Sequence, residues 1–291
     1  MIEGAASYGA VLACAVAARG YQIVEAARMD ARTHHGVGKS DLLDAQRIGR
    51  AVLPLDQSQL RRPRLNDGVR AALRVLVTAR EAMTGERTRH INALTALLRV
   101  SDLGLDTHKA LTGSKIAEVS RWRARAEELS LSIARAEAIR LAQRITDLNT
   151  DVSANLDQIT GLVKASDAAA LLEIKRFGPI TAAACLTAWS HEGRVRSEAA
   201  FASLAGVNPI PASSGNTERH RLNRGGDRSL NKALYIVAAT RMTHDEQTRT
   251  YVQKRQAQGR TLKEIRRYIK RYLPRHVYRI LNAQTNAHAT A

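Results

Sequence analysis

Ser214 stands in the run Pro209-Ile210-Pro211-Ala212-Ser213-Ser214-Gly215, and Arg219, Arg221, Arg224, Arg228 and Lys232 follow within twenty residues. A hydroxyl beside a glycine-marked turn, ringed by cations, suits chemistry on a phosphodiester. The oxygen attacks or is positioned, and the cations hold the phosphate and offset the charge that develops on it. A Ser-Ser-Gly turn alone is ordinary loop sequence; its cationic company is what gives it chemical meaning. His220, six residues from Ser214 and amid the arginines, is a candidate for proton transfer.

A second constellation lies far upstream. Asp41 and Asp44 are three residues apart, so a helix projects both carboxylates on one side. Two close carboxylates call for a cation or a proton between them. Hard divalent ions such as Mg²⁺ use that arrangement, with substrate phosphates filling other positions. Acidic residues in a first helical turn are equally favoured by the helix dipole, so both readings stay open. Glu3 is a candidate third ligand.

The charge balance says what such groups would meet. The chain of 291 residues carries a formal charge of +18, and Phe201 to Ala291 holds 17 Lys and Arg against 5 Asp and Glu. A field segregated in this way favours polyanions, nucleic acid first and an acidic membrane surface second. Lys263, Arg266, Arg267 and Lys270, on a predicted tail helix, are further candidates for phosphate contacts. Two cysteines, Cys14 and Cys185, offer neither a disulfide framework nor zinc spacing and fit a reducing cytoplasm. The apolar run from Ala10 to Ala18 follows Glu3 rather than a basic segment, so it does not read as a signal peptide. No stretch reaches the roughly 18 apolar residues of a membrane span.

The elements that must position these groups are mostly helices, as 44% apolar and only 4% aromatic content suggests. Tyr8 to Ala18 predicts a helix, Gly20 ends it, and Tyr21 to Val24 predicts a short strand with no earlier strand to complete an α/β unit. Lys39 to Ala45 opens another helix, which Pro54 ends, and Gly68 to Val100 predicts a long one. A continuous helical stretch is expected from Lys115 to about Lys164. Within it Leu141, Ile145, Leu148, Val152, Asn155, Ile159 and Leu162 form a heptad seam with one polar member. A dimeric coiled coil and an intrachain hairpin both satisfy that seam. Phe177-Gly178-Pro179 predicts a turn feeding a helix, whose first amides are candidate phosphate donors. The tail helix is expected from Thr261, with Glu264 completing a capping box, to Leu273.

These blocks occur in an order that resembles a known family. Glu3-Gly4-Ala5-Ala6-Ser7-Tyr8-Gly9, Gly38 to Ala45, Gly178-Pro179-Ile180-Thr181-Ala182, Ala200 to Pro209, Ser213-Ser214-Gly215 and Asn223-Arg224-Gly225-Gly226-Asp227 are similar to the DEDD transposases of bacterial insertion sequences. That group is related to the Piv invertase and includes the bridge-RNA-guided recombinases. The resemblance implies a chain that is mainly α, with a truncated α/β RuvC-like (RNase H-like) part over residues 1–100. A helical coiled-coil segment over 101–165 and a helical transposase domain over 166–291 follow.

The same resemblance implies roles. Ser214 matches the nucleophile, Ser213 being the neighbour that could be confused with it. Glu3, Asp41 and Asp44 match the second, third and fourth acids of an Mg²⁺-binding tetrad. Attack of the serine on DNA would give a covalent phosphoserine link. The implied partners are DNA, a guide RNA and further copies of the chain in a dimer or tetramer. The family's first acid lies upstream of the glutamate, and this chain starts two residues before Glu3. The expectation is therefore an incomplete metal site, a poorly formed N-terminal sheet and either a truncated gene product or a mis-called start. The alternative function is a relic that binds DNA or RNA without cutting it.

Overall fold

The computed structural model describes residues 1–26, 41–65, 68–105, 108–211, 220–221, 223 and 225–289. Helices dominate them, as the composition implies. In chain order they are α1 (Ala10–Ala17), α2 (Asp41–Val52), α3 (Gly68–Val100), α4 (Gly113–Val119), α5 (Leu129–Lys164), α6 (Pro179–Trp189), α7 (Glu198–Leu204), α8 (Arg228–His244), α9 (Glu246–Ala257) and α10 (Leu262–Ala289). Two strands, β1 (Ile210–Pro211) and β2 (His220–Arg221), pair antiparallel between α7 and α8.

The scaffold is a hairpin of the two longest helices. Arg80 Nη1 donates to the Val152 carbonyl at 2.7 Å and to Asn155 Oδ1 at 3.3 Å, while Asn155 Nδ2 donates to the Leu76 carbonyl at 3.1 Å. One turn and more along, Arg144 pairs with Glu86 at 2.8 Å and Arg87 donates to Asn149 at 3.1 Å. Partners drift in opposite senses along the two helices, so α3 and α5 run antiparallel. The heptad seam of α5 is therefore filled in cis. Leu141, Ile145, Leu148, Val152, Asn155 and Ile159 are all buried, and the one polar member answers an arginine of α3.

A smaller apolar cluster closes the far end of the hairpin, from Leu94, Leu98, Ile116, Val119, Ala138, Leu141 and Ile145. Here the expected continuous helix from Lys115 is interrupted between α4 and α5. The reason is Trp122. It lies against this cluster with the Arg135 guanidinium 5.0 Å from its ring, and Arg135, itself buried, is neutralised by Glu127. The segment 120–128 folds back so that Trp122 and Glu127 cover that cation. Burial without both partners would leave an isolated charge in an apolar setting.

The larger cluster gathers α6, α7, α8 and α10 on the near end of the hairpin. α6 begins at Pro179 with Gly178 as its N-cap, the expected turn into a helix. It is buried through Ala182, Ala183, Cys185, Leu186 and Trp189, and its small residues allow neighbouring helices to approach closely. Trp189 Nε1 finds Asn282 Oδ1 at 3.1 Å, and the Tyr278 hydroxyl donates to the Val195 carbonyl at 2.9 Å. α10 has the expected capping box at Thr261 and Glu264. It does not stop at Leu273 but continues through Pro274. A helix-interior proline costs about 3 kcal/mol. Burial of Leu273, Val277 and Leu281 in the core stabilises by about 1.5–3 kcal/mol each and outweighs it.

The N-terminal part is slight. Ile2 and Glu25 form a single parallel bridge, closed by Ile2 N–H to Val24 O (2.9 Å) and Ala26 N–H to Ile2 O (3.1 Å). The strand expected at 21–24 is thus one bridged residue pair, and its partner is Ile2, too short a run to carry a strand signal. Among the described residues there is no RuvC-like sheet. Nor is any described helix long and apolar enough to cross a membrane.

The buried hydrogen-bond node at Asn155 should matter more than the exposed one at Asn149. Asn155→Ala is expected to lower stability by about 1–3 kcal/mol because Arg80 and the Leu76 carbonyl lose a buried partner. Asn149→Ala should cost less than about 0.5 kcal/mol. Urea unfolding of both variants checks this, and equal losses would contradict it.

Candidate nucleic-acid interface

The basic C-terminal third is organised around the return from α7 to α8. Ser197 caps α7 by accepting the Ala200 N–H at 3.1 Å. The helix ends at Ala205, and Gly206, at φ +65°, turns the chain so that Val207 N–H reaches the Ala202 carbonyl at 3.0 Å. Asn208-Pro209 then enters β1. Ile210 pairs with Arg221 and Pro211 with His220, so the two ends of the segment carrying Ser213, Ser214 and Arg219 are tied together at its base. Residues 212–219 and Arg224 themselves lie outside the described residues, and His220 and Arg221 are described by their backbone alone.

Glycines let the outgoing chain press on the end of α7. A Cβ on Gly226 (φ +92°) would sit 2.4 Å from the Leu204 carbonyl oxygen, and one on Gly206 would sit 2.7 Å from the Gly225 oxygen. No side chain fits either approach. The packed backbones are fastened by Asp227 N–H to Leu204 O at 2.7 Å and by Asn223 Nδ2 to Asn208 Oδ1 at 2.5 Å. Asp227 then caps α8 through Oδ1, accepting the Leu230 N–H at 3.0 Å, while Oδ2 takes Arg64 Nη2 at 2.7 Å. The segment before α3 is therefore held against the Asn223–Asp227 loop.

Two turns of helix complete the platform. Asn231, on α8, donates to the Ala205 carbonyl at 2.6 Å and accepts Lys270 Nζ at 2.9 Å. Four residues on, the Tyr235 ring receives the Arg266 guanidinium at 4.9 Å and Lys270 Nζ at 5.7 Å, and its hydroxyl accepts Arg266 Nη1 at 2.8 Å. Arg266 and Lys270 are themselves four apart on α10, so one stripe of cations meets one stripe of polar and aromatic groups. Burial pushes the Lys270 ammonium down to about 8, and the neighbouring Arg266 charge adds to the effect. Among the described residues no carboxylate pairs with either cation.

The other predicted cations divide. Arg228, Lys263 and Arg267 are exposed. Lys232 points instead towards α3, 3.5 Å from Glu81. The spacing of cations along the sequence carries no sign of this difference. Asn231, Tyr235, Asp227 and Arg64 are functional candidates that the sequence reading missed. An Asn and a Tyr four apart on α8, matched by two cations four apart on α10, is the one sequence signal that points to them.

The three acids are not brought together. Glu3 is exposed and bonds the Tyr8 side chain. Asp41 is exposed in the first turn of α2, and Asp44 lies 3.8 Å from Arg47. Among the described residues no three His, Cys, Asp or Glu side chains form a group able to hold a metal ion.

The chain is similar to known proteins along most of its length. A family model described as "Transposase IS116/IS110/IS902 family" matches residues 168–253, and a DEDD model of IS110 elements, described as "Transposase", matches residues 1–101. An "Insertion element IS110 uncharacterized 43.6 kDa protein" of Streptomyces coelicolor is 30% identical over 287 residues, covering 81% of this chain and 69% of that protein. An "Insertion element IS900 uncharacterized 42 kDa protein" of Mycobacterium paratuberculosis is 25% identical over 277 residues, covering 79% of this chain and 68% of that protein.

The loop junction makes a sharp stability prediction. Gly226→Ala should cost more than about 2 kcal/mol, because it adds a clash with a backbone carbonyl to a left-handed φ. Gly225→Ala should cost clearly less, since its Cβ meets only the Asn223 side chain at 3.2 Å. Denaturant midpoints of the two variants distinguish them; the reverse order would mean the loop does not press on α7 as described.

Proposed function

The chain belongs to the IS116/IS110/IS902 family of insertion-element transposases, and from that premise we propose that it cuts and rejoins DNA through the hydroxyl of Ser214. The supporting observation is the anchoring of both ends of the Ser214 segment. The β1–β2 pairing and the glycine-packed Asn223–Asp227 loop hold them beside cations that no described carboxylate neutralises. A nucleophile on such a segment is delivered to a phosphate from a fixed base.

The step itself is a transesterification. The Ser214 Oγ–P bond forms as one P–O bond of the DNA backbone breaks. The serine proton passes to a base, and the departing deoxyribose oxygen takes up a proton. One phosphodiester is exchanged for another, so reversal by a different DNA hydroxyl rejoins strands without an added energy source. Fixed cations favour the transition state because negative charge builds on the phosphoryl oxygens there. Arg219, Arg221, Arg224 and Arg228 belong to this proposal as phosphate ligands, with Lys232, Lys263, Arg266, Arg267 and Lys270 around them.

The DEDD family suggests use of a divalent metal ion. Glu3, Asp41 and Asp44 do not fit a single ligand set in this structure, since Asp44 faces Arg47 and Glu3 engages Tyr8. The same dispersal favours a second reading, in which the chain holds nucleic acid without cutting it. A guide RNA and a homo-oligomer, dimer or tetramer, are carried by the resemblance alone.

Incubation with labelled insertion-element ends, followed by denaturing electrophoresis, tests the serine. Ser214→Ala should abolish the covalent protein–DNA species and leave binding within about twofold; Ser213→Ala should keep the adduct. An adduct formed by Ser214→Ala would sink the proposal. Failure of the unaltered chain to give any adduct with Mg²⁺ present would select the binding-only reading.

A further inference from the structure

We propose that Lys270, Arg266, Asn231 and Tyr235 form a preformed phosphate subsite that takes the backbone of a DNA strand beside the hairpin base of the Ser214 segment. The inference rests on the reading of the chain as a DNA-binding transposase and names the residues that would grip the strand.

Four features separate this cluster from a generally basic surface. Its cations are held in place before any ligand arrives. Lys270 is fixed by Asn231 Oδ1 at 2.9 Å, and Arg266 by the Tyr235 hydroxyl at 2.8 Å and the ring beneath it. Ordering a long basic side chain ordinarily opposes binding, and that ordering is already present.

Next, the charge is uncompensated. Both side chains are partly buried, and no described carboxylate pairs with them. Burial and the neighbouring Arg266 charge both lower the Lys270 ammonium and disfavour the doubly charged state. An anion placed between them reverses both effects.

One donor is also orphaned. Arg266 Nε is buried and has no acceptor. A buried donor without an acceptor is unfavourable, and a small shift of the guanidinium towards a bound phosphate would relieve it. The fork of an arginine together with a lysine ammonium suits a phosphate oxyanion.

Last, the cluster is joined to the loop that matters. Asn231 also donates to Ala205 O, one residue before the Gly206 turn that leads into β1. A strand gripped here is therefore registered against the base of the Ser214 segment rather than against a remote surface. Lys263 and Arg267, exposed on the same helix, lack these constraints and would supply only screening charge.

The test measures binding of the full chain to a 30-base-pair DNA duplex by fluorescence anisotropy, across salt and across pH 7 to 9.5. Lys270→Met should weaken binding by about tenfold at low salt. It should also lower the slope of log K against log salt by about 0.9, the value for one phosphate contact. Lys270→Arg should restore both. The groups facing the subsite are Lys270 and Arg266 from α10 and Tyr235 from α8, with backbone carbonyls from the end of α7. An anion binds the charged lysine better, so the unaltered chain should lose affinity as pH rises through about 8. Lys270→Arg should bind tightly with that pH step removed, a readout that misfolding cannot mimic.

A Lys270→Met variant with unchanged salt slope and unchanged pH profile would overturn the subsite. So would an effect confined to a single-stranded RNA probe, with DNA binding untouched. If the unaltered chain binds DNA with the expected lysine signature yet forms no adduct, the subsite stands and the serine chemistry fails. No DNA binding at low salt would remove both.

Discussion

Asp227 is the constraint on which the functional half of the molecule depends. One carboxylate oxygen caps α8, the other takes Arg64, and its own N–H fastens to the end of α7. Three chain segments distant in sequence thereby meet at one residue. The junction is electrically crowded. Arg194 lies close by, mostly buried, with burial lowering its guanidinium to about 10; Arg64 and Arg61 push the same way, while Glu25 and Asp227 oppose them. Asp227 and Glu25 thus supply the negative charge that offsets Arg61 and Arg64 at Arg194. The residue that starts a helix is also what lets the segment before α3 dock on the loop.

That docking is how the slight N-terminal unit touches the C-terminal core. Glu25 N–H donates to Arg61 O at 2.8 Å, Leu65 N–H donates to Ser190 Oγ at 3.1 Å, and Arg64 reaches Asp227. A Cβ on Gly193, at φ +78°, would come within 2.8 Å of the Arg62 guanidinium. A short strap of basic residues therefore spans the 190–195 turn, and its backbone carries the Ile2–Glu25 bridge. This strap is one tie between the N-terminal part and the core; Arg74 of α3, whose Nη2 donates to the Ala6 carbonyl at 2.9 Å, is another.

Local signals were legible where local physics decides. The bounds of α3, the Gly178-Pro179 entry to α6 and the Thr261–Glu264 box follow from residues within one turn of each boundary. What escaped was set by distant partners. The break after α4 exists because Trp122 and Glu127 cover Arg135. α10 passes Pro274 because Leu273 before it and Val277 and Leu281 after it are all held in the core. Likewise a heptad seam is the same pattern in cis and in trans, and only the reply of Arg80 to Asn155 assigns it to one chain. For the candidate site, the basic character of the tail was readable. The division of labour among its cations was not, because it depends on which of them an Asn, a Tyr or a Glu from another helix meets.

The acids of the last third explain why its field survives folding. Asp227 and Asp245 cap α8 and α9, Glu264 closes the capping box of α10, and Glu246 stands in the first turn of α9. Glu218 lies outside the described residues. The Thr248 hydroxyl holds the Asp245 carboxyl below its ordinary range, and the Thr261 backbone does the same for Glu264. Both carboxylates sit at helix N-termini, where the helix dipole favours a negative charge. Asp227, Asp245 and Glu264 are thereby committed to local capping bonds, and none of them pairs with Arg266 or Lys270. A fold that scattered the same acids among those cations would have the same net charge and a far weaker grip on a phosphate backbone, since affinity follows the cations that can displace counterions rather than the sum over the chain.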